Sequence, residues 1–194
     1  MGERVQRIYL FRHGETEWSR SGKHTGSTDL PLTAKGREDA VSLRACLAQL
    51  KLMHVLTSPM QRARDTCELA LVGMPSAIDG DLSEWDYGDY EGLTTGEIWQ
   101  QVPGWMVFSN GCPGGETPED VGQRADKMIA KARAVPGDVA MFSHGHFLRV
   151  LAARWLELPV AEGRRFLLDT ATLNILGYYR DTPAIQVWNA PISR

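Results

Sequence analysis

Short apolar runs that stop abruptly at polar turns recur along this chain. The first is Ile8–Phe11, which runs into Arg12-His13-Gly14, and similar runs occupy Met53–Leu56 and Asp138–Phe142. Runs of this length without alternation are typical of strands buried on both faces. We therefore predict three buried strands, with polar residues at the carboxyl end of each.

The segments between these runs have the spacing and caps of helices. Thr33 is a candidate N-cap, and the sequence Thr117-Pro118-Glu119-Asp120 combines a capping hydroxyl, an early proline and acids in the first turn. Strand, polar turn and helix therefore alternate, which predicts βαβ units and a parallel sheet. The predicted helices span Ala34–Leu50, with an apolar face of Val41, Leu43, Leu47 and Leu50, and Met60–Leu71, Pro118–Ala134 and Phe147–Leu158.

Residues 79–117 differ from the rest of the chain. They follow a short predicted strand at Ser76–Ile78, contain Trp85, Trp99 and Trp105, and offer one short helix at Thr95–Gln101. Long excursions in compact domains are usually functional. Two interpretations of the aromatic residues stay open, since they can pack the loop or contact a substrate.

The carboxyl-terminal part predicts two alternating strands, Thr172–Tyr179 and Ala184–Trp188, at an edge of the sheet. The sequence shows no internal repeat, low-complexity tract or linker. We therefore expect a single α/β domain over residues 1–194, with an excursion at about 79–117.

Charge and cysteine content exclude several classes of protein. A net charge of −3 argues against a general binder of nucleic acid or anionic membranes. The cysteines Cys46, Cys67 and Cys112 form neither a metal motif nor an obvious disulfide framework, which favours a reducing compartment. No apolar run is long enough for a signal peptide or a membrane span. The expectation is a cytoplasmic protein, a monomer or homodimer, with no nucleic-acid or membrane partner.

Four cationic or cation-capable side chains belong to strand ends that meet at one sheet edge. Arg12, His13 and His144 end the first and third predicted strands, and Arg62 opens the helix after the second. Open α/β sheets bind ligands at that edge. Arg-His-Gly alone would carry little weight, and a single histidine or arginine of this kind is more often structural.

Together these residue types suit phosphoryl transfer through a histidine. Neutral imidazole is nucleophilic near neutral pH. Two guanidiniums can hold phosphoryl oxygens, and a second, protonated histidine would oppose the charge of the transition state. The leaving oxygen needs a proton, and Glu84 in the excursion is the candidate acid.

Four motifs occur in order along the chain: LFRHGETEW, SPMQRARDT, LSEWDYGDYEG and FSHGHFLR. Through these motifs the sequence resembles the histidine phosphatase (phosphoglycerate mutase-like) superfamily over nearly its whole length. The resemblance implies His13 as the phosphorylated residue beside Arg12, Arg62 as the second arginine, Glu84 as the acid and His144 as the second histidine.

Within the superfamily, the segments WSRSGKHTGSTDLPLT, EWDYGDYEG and NGCPGGET most resemble the branch of sedoheptulose-1,7-bisphosphatase and related small acid-type phosphatases. The resemblance implies a three-layer α/β/α sandwich with a mostly parallel sheet and an antiparallel edge strand. It also implies a small phosphate ester as substrate, plausibly a sugar phosphate or bisphosphate, and no metal or other cofactor. Predicted substrate contacts are Ser19, Thr25, Gly26, Tyr87, Gly145 and His146.

The sequence is less consistent with three alternatives to hydrolysis. Phosphoglycerate mutases carry a lysine and a pair of arginines, after the segment that contains the acid, which hold the second phosphate. Here Gly96-Glu97-Ile98-Trp99 and the following residues do not supply these basic side chains. A non-catalytic phospho-ligand binder would usually have lost the nucleophile or the acid. A metal protein using His13, His144 and His146 conflicts with the positive charge of two arginines.

The rim of the site is expected to select the substrate, because the phosphate-binding residues recognise only a phosphoryl group. The predicted rim is Ser19–Thr28 together with Trp85, Tyr87, Trp105 and Asn110 of the excursion. Lys23 and His24, or an arginine from elsewhere, are candidates for holding a second phosphate.

Overall fold

One six-stranded sheet runs through the computed structural model, which describes residues 6–192. Residues 1–5 and 193–194 of the predicted domain lie outside this range, and the single domain stays a prediction. The strands are β1 Ile8–Arg12, β2 Leu52–Thr57, β3 Ala77–Ile78, β4 Asp138–Ser143, β5 Leu173–Tyr179 and β6 Thr182–Ala190.

The strand order is β3-β2-β4-β1-β5-β6. The first four strands in this order pair in parallel, whereas β5 pairs antiparallel with both β1 and β6. This confirms the predicted mostly parallel sheet with an antiparallel edge. The register that sets Arg12 opposite Ser143 brings the ends of β1 and β4 together.

The central strands β1 and β4 are apolar except at their ends, and both of their faces are covered. In β1, Ile8 and Leu10 belong to one hydrophobic core, whereas Tyr9 and Phe11 belong to the other. Successive side chains of a strand point to opposite faces, so an unbroken apolar run is needed here.

Helices cover both faces of this sheet and complete the three layers. α2 and α3 pack together against one face, and α6 and α7 pack together against the other. Their bounds are α1 Glu17–Ser21, α2 Ala34–Leu47, α3 Gln61–Ala70, α4 Thr95–Gln101, α5 Val107–Asn110, α6 Pro118–Arg133 and α7 Gly145–Trp155. None of the helices in the described range is long and apolar enough to cross a lipid bilayer.

The N-caps of two predicted helices are confirmed. The Thr33 side chain accepts from the N–H of Gly36, and Thr117 forms a capping box with Asp120. These bonds satisfy N–H groups that have no partner within the helix, which fixes where the helices begin.

The predicted bounds of two helices are wrong. α2 ends at Leu47 rather than Leu50, and its buried face uses Ala40, Leu43 and Leu47, which leaves Val41 exposed on the opposite side. α7 begins at Gly145, directly after His144, and ends at Trp155 rather than Leu158. The left-handed φ of 61° at Glu157 turns the chain away from the helix there.

Two short helices escaped the sequence pattern. α1 lies in the segment after Gly14, and a capping box between Thr16 and Ser19 stabilises its amino-terminal end. α5 lies in the excursion and places Val107 and Phe108 in the core. Both are too short to show an apolar periodicity, and tertiary packing stabilises such helices.

Candidate active site

His13 stands directly after β1 and is nearly buried, with 5% of its surface exposed. Its N–H donates to the carbonyl of Ser143 at the end of β4. The next residue must be glycine, since a Cβ at Gly14 would lie 2.3 Å from the carbonyl oxygen of Gly36 in α2. The close approach of α2 thus turns the chain at His13.

One nitrogen of the His13 ring is hydrogen-bonded to the backbone. Nδ1 lies 2.8 Å from the carbonyl oxygen of Gly14, and a carbonyl can only accept, so Nδ1 carries the proton. Nε2 therefore carries the lone pair. Burial lowers the pKa of His13 well below its ordinary value, and the charges of Arg62 and Arg12 lower it further. The ring is a neutral base at neutral pH.

His144 follows β4 and lies beside His13, with 5.2 Å between the ring centroids. Its Nδ1 accepts a hydrogen bond from Nε of Arg62 at 3.2 Å, and its Nε2 lies 2.7 Å from the Ser58 hydroxyl. A ring that accepts at Nδ1 is neutral. Burial, followed by the charge of Arg62, lowers its pKa well below the ordinary value. The expectation of a protonated second histidine is therefore wrong for this structure.

Arg62, in the first turn of α3, is fully buried. Nη1 donates to the carbonyl of Thr28, and Nη2 donates to the carbonyls of Thr25 and Gly26. With the bond to His144, four of its donors are engaged by protein atoms, so one N–H of the five remains. Burial lowers the pKa of Arg62 from its ordinary value. Its direct contact with a phosphoryl group stays a prediction.

Arg12 keeps free donor capacity at the site. Nη1 donates to the carbonyl of Leu168 at 2.6 Å. Nε is buried and has no hydrogen-bond partner in the described part of the chain. Gly145 lies against the guanidinium, because a Cβ there would be 3.2 Å from the Arg12 carbon Cζ. Burial lowers the pKa of Arg12, an effect that the charge of Glu84 opposes. An unpaired, buried guanidinium N–H suits an anionic ligand.

Glu84 reaches the same place from the excursion. Its Oε2 accepts from the N–H of His146 at 3.0 Å, and its Oε1 accepts from the N–H groups of Phe147 and Trp85 at 2.8 and 2.9 Å. The carboxyl group therefore lies at the amino-terminal end of α7, where unpaired N–H groups and the helix dipole attract negative charge. These bonds hold the Glu84 carboxyl group in the wall of the cavity that contains His13.

A cavity of about 270 Å³ collects most of the predicted residues. Its wall lacks Arg62, His144 and Gly26: Arg62 and His144 are fully buried, and the Gly26 N–H donates to Glu91. The lining comprises Arg12, His13, Ser19, Gly22, Lys23, His24, Thr25, Glu84, Tyr87, Thr95, Gly145, His146, Arg149 and Leu168.

Arg149 and Thr95 are cavity residues that sequence reasoning did not single out. Arg149 ends the segment FSHGHFLR, one turn of α7 beyond Gly145, so the helical spacing was a usable signal. Thr95 opens α4 in the excursion. Leu168 comes from the connection before β5 and could not be found by pattern.

Three aromatic side chains line one side of the cavity. The Tyr87 hydroxyl lies 2.5 Å from Nδ1 of His146, and the His24 ring lies 4.7 Å from the Tyr87 ring. Burial lowers the pKa of His24 to about 4 and raises the pKa of Tyr87 well above its ordinary value. Burial also lowers the pKa of His146. This wall is uncharged at neutral pH.

The predicted rim is partly wrong. Trp85 and Trp105 are buried in the core, where Nε1 of Trp105 donates to the carbonyl of Gly111. Trp105 also lines a smaller cavity that adjoins the one at His13. Asn110 lies in a separate groove with Ser109 and Pro118 rather than in the cavity. Indole rings bury a large apolar area, so packing decides the position of both tryptophans. Tyr87, Ser19 and Thr25 remain at the cavity.

The described residues contain no group of three or more histidine, cysteine, aspartate or glutamate side chains arranged to hold a metal ion.

The chain is similar to known proteins over most of its length. Residues 8–191 match the model of the histidine phosphatase superfamily (branch 1). An acid phosphatase of Mycobacterium tuberculosis is 45% identical over 182 residues, which cover 92% of this chain and 89% of that protein. Sedoheptulose 1,7-bisphosphatase of Saccharomyces cerevisiae is 36% identical over 186 residues, covering 79% of this chain and 69% of that protein.

The fold is also similar to a solved structure, the product of an open reading frame of Mycobacterium tuberculosis. The TM-score is 0.94 with 42% sequence identity, and the match covers 98% of this chain and 100% of that one.

Proposed function

The chain belongs to the histidine phosphatase superfamily (branch 1), a family of phosphatase enzymes, and from this premise we propose that it hydrolyses small phosphate esters through a phosphohistidine at His13. Sugar phosphates and bisphosphates are the proposed substrates. The observation that carries the proposal is the His13 ring, whose Nδ1 is held by the Gly14 carbonyl while the neutral ring lines the cavity.

In the first proposed step, Nε2 of His13 attacks phosphorus as the bond to the ester oxygen breaks. Glu84, protonated at this stage, gives its proton to the departing alkoxide. The Arg12 guanidinium lines the cavity and donates to protein atoms of the described chain only through Nη1, so it is suited to hold the phosphoryl oxygens. Products of this step are the free alcohol and a phosphoryl group on His13.

In the second step, water attacks the phosphorus of the phosphohistidine. Glu84, now a carboxylate, takes the proton from that water as the bond between phosphorus and Nε2 breaks. Inorganic phosphate leaves, and both His13 and Glu84 return to their starting forms. No metal takes part in this scheme, because Arg12 and the donor left on Arg62 supply the positive charge.

The proposed substrate class rests on the lining of the cavity and on one relative. Ser19, Thr25 and Thr95 bring hydroxyl groups, and Tyr87 brings an aromatic face. Such a lining suits a polyhydroxylated chain. The Saccharomyces relative is named for a sugar bisphosphate, and we extend that substrate class to this chain.

A kinetic panel tests this proposal. It compares sedoheptulose 1,7-bisphosphate and fructose 1,6-bisphosphate with phosphoglycerates, nucleotides and a phosphotyrosine peptide, each with and without a chelator. We expect the highest kcat/KM for the sugar phosphates, no net isomerisation of 3-phosphoglycerate and no effect of the chelator. If a nucleotide or the peptide leads by more than about tenfold, roughly 1.4 kcal/mol of transition-state preference, the substrate class is wrong. Binding without turnover of any ester would instead indicate a non-catalytic phospho-ligand binder.

A further inference from the structure

A second chamber opens beside the cavity that contains His13. It has a volume of about 190 Å³ and shares His24, Thr95, His146 and Arg149 with that cavity. An ester held at His13 could therefore extend past these shared residues into the second chamber. The chamber therefore offers space for the part of a substrate that lies beyond the scissile bond.

The wall of the second chamber is mainly apolar. Trp99 and Met106, which line it, are large hydrophobic side chains with 49% and 37% of their surface exposed. An aromatic face next to hydroxyl and imidazole groups suits the C–H face of a sugar carbon chain. This wall by itself does not favour an anion.

Arg149 gives the chamber its charge. Its Nε donates to the carbonyl of Gly163 at 3.1 Å, its Nη2 donates to the carbonyl of Arg164 at 3.2 Å, and its guanidinium lies 4.6 Å from the centre of the Phe108 ring. These contacts fix the guanidinium before any ligand arrives. Nη1 makes no hydrogen bond within residues 6–192 and is left for a ligand.

No carboxylate of the described chain forms an ion pair with Arg149. Glu84 influences it only at longer range, and burial lowers the pKa of the guanidinium. A partly buried cation without a counter-ion is costly, and an anion placed beside it removes that cost. Arg164 adds a second positive charge at the same chamber, partly offset by Glu162 at 3.7 Å.

We propose that the second chamber binds a second anionic group, a phosphate or a carboxylate at the far end of the ester, and that Arg149 is its main ligand. The inference rests on the proposed phosphatase function and specifies its substrates as esters with two anionic ends. In this arrangement the reacting phosphoryl group of the ester lies at His13. The carbon chain of the ester runs past His24 and His146, and its distal anion accepts a hydrogen bond from Nη1 of Arg149.

Matched pairs of substrates test the inference. Fructose 1,6-bisphosphate is compared with fructose 1-phosphate and fructose 6-phosphate, and 3-phosphoglycerate is compared with glycerol 3-phosphate. The first set reports on a distal phosphate, and the second reports on a distal carboxylate. We expect wild-type kcat/KM to favour at least one doubly anionic ester by about tenfold or more, mainly through KM.

Arg149→Met should remove most of that preference, because the methionine keeps an apolar contact with Phe108 but loses the charge. Arg165→Met is the matched control: it removes an equal charge nearby, on an exposed residue that pairs with Glu162 and lines neither cavity. The control should keep the wild-type preference. An Arg149→Met enzyme that retains the preference, or that loses activity equally on both members of a pair, overturns the inference.

A binding experiment separates this inference from the proposed function. Titration calorimetry of fructose 1,6-bisphosphate and the two monophosphates is run on His13→Ala, with and without Arg149→Met. The inference predicts that Arg149→Met weakens the bisphosphate at least about tenfold more than the monophosphates, whether or not the wild-type protein turns over any ester. Equal weakening would overturn it even if hydrolysis were established.

Discussion

Both carboxylate oxygens of Glu91 accept a hydrogen bond from the backbone N–H of Gly26, at 3.0 and 2.9 Å. One of these oxygens also accepts from the N–H of Thr28 at 3.0 Å. The carbonyls of the same two residues hold the Arg62 guanidinium. Glu91 therefore acts through this loop as a positioning residue for Arg62, and Arg62 in turn contacts His144.

Glu91→Gln should lower kcat/KM by about tenfold and weaken binding of vanadate, a mimic of the transferred phosphoryl group. The amide offers one acceptor oxygen in place of two, so the loop and Arg62 lose their fixed position. Asp89→Asn, which removes an equal charge from an exposed neighbour, should be neutral. A role in stability alone would change the melting temperature and leave vanadate affinity at the wild-type value.

Glu84→Gln should impair esters with poor leaving groups most. The amide cannot protonate an alkoxide, so hydrolysis of a sugar phosphate should fall by about 10²–10⁴-fold, while an aryl phosphate should lose much less. The variant also loses an acceptor for the N–H of His146, which should lower the free energy of unfolding by about 1 kcal/mol. Equal kinetic losses on both esters would assign Glu84 a structural role and direct attention to Asp86, tested by Asp86→Asn.

His24 should make the protein less stable in mild acid. Its pKa is about 4 in the folded protein and ordinarily 6.5, because burial beside Tyr87 and His146 outweighs the attraction of Glu91. Between these values the unfolded chain binds a proton that the folded chain does not, so stability falls as the pH drops from 6.5 towards 4. His24 accounts for up to about 3 kcal/mol of this loss in the free energy of unfolding.

Urea unfolding of wild type and His24→Gln at pH 7.5 and pH 4.5 measures this share. The wild type should lose more free energy of unfolding between the two pH values than the variant does. Buried histidines that do not contact His24, His13 among them, contribute to both proteins and cancel in the comparison, whereas His146 lies beside His24 and is coupled to it. Identical losses would contradict the assignment to His24.

His13→Ala should reduce turnover by several orders of magnitude, since removal of the proposed covalent nucleophile leaves only binding and positioning. The fold should persist, which circular dichroism and thermal unfolding can verify. His54→Ala, which changes a histidine on β2 that does not line the cavity, is the control and should stay active. A folded His13→Ala protein with more than about a tenth of the wild-type kcat would refute the role of His13.

The fold could be predicted largely because the strands are buried on both faces. Burial on both faces makes β1 and β4 unbroken apolar runs, and the polar residues that follow them mark the sheet edge. Boundaries failed where a single residue decides them, as at Glu157. α1 and α5 depend on caps and packing that a periodicity cannot show.

The site was less accessible to sequence reasoning than the fold. Residues at strand ends, such as His13 and His144, are brought together by the sheet register alone. The neutral state of His144 depends on the bond from Arg62, and the burial of Trp105 depends on the core, so neither can be inferred from spacing. Arg149 belongs to the segment FSHGHFLR, yet only its neighbours in space show that it has no ion-pair partner among residues 6–192.

The central claim is that hydrolysis proceeds by two displacements at phosphorus, the first by His13. The stereochemical course of hydrolysis of an isotopically chiral phosphorothioate ester in oxygen-labelled water tests it most directly. Each in-line displacement inverts phosphorus, so two displacements predict overall retention of configuration. Overall inversion would show that water attacks the ester directly, and the phosphohistidine mechanism would be wrong.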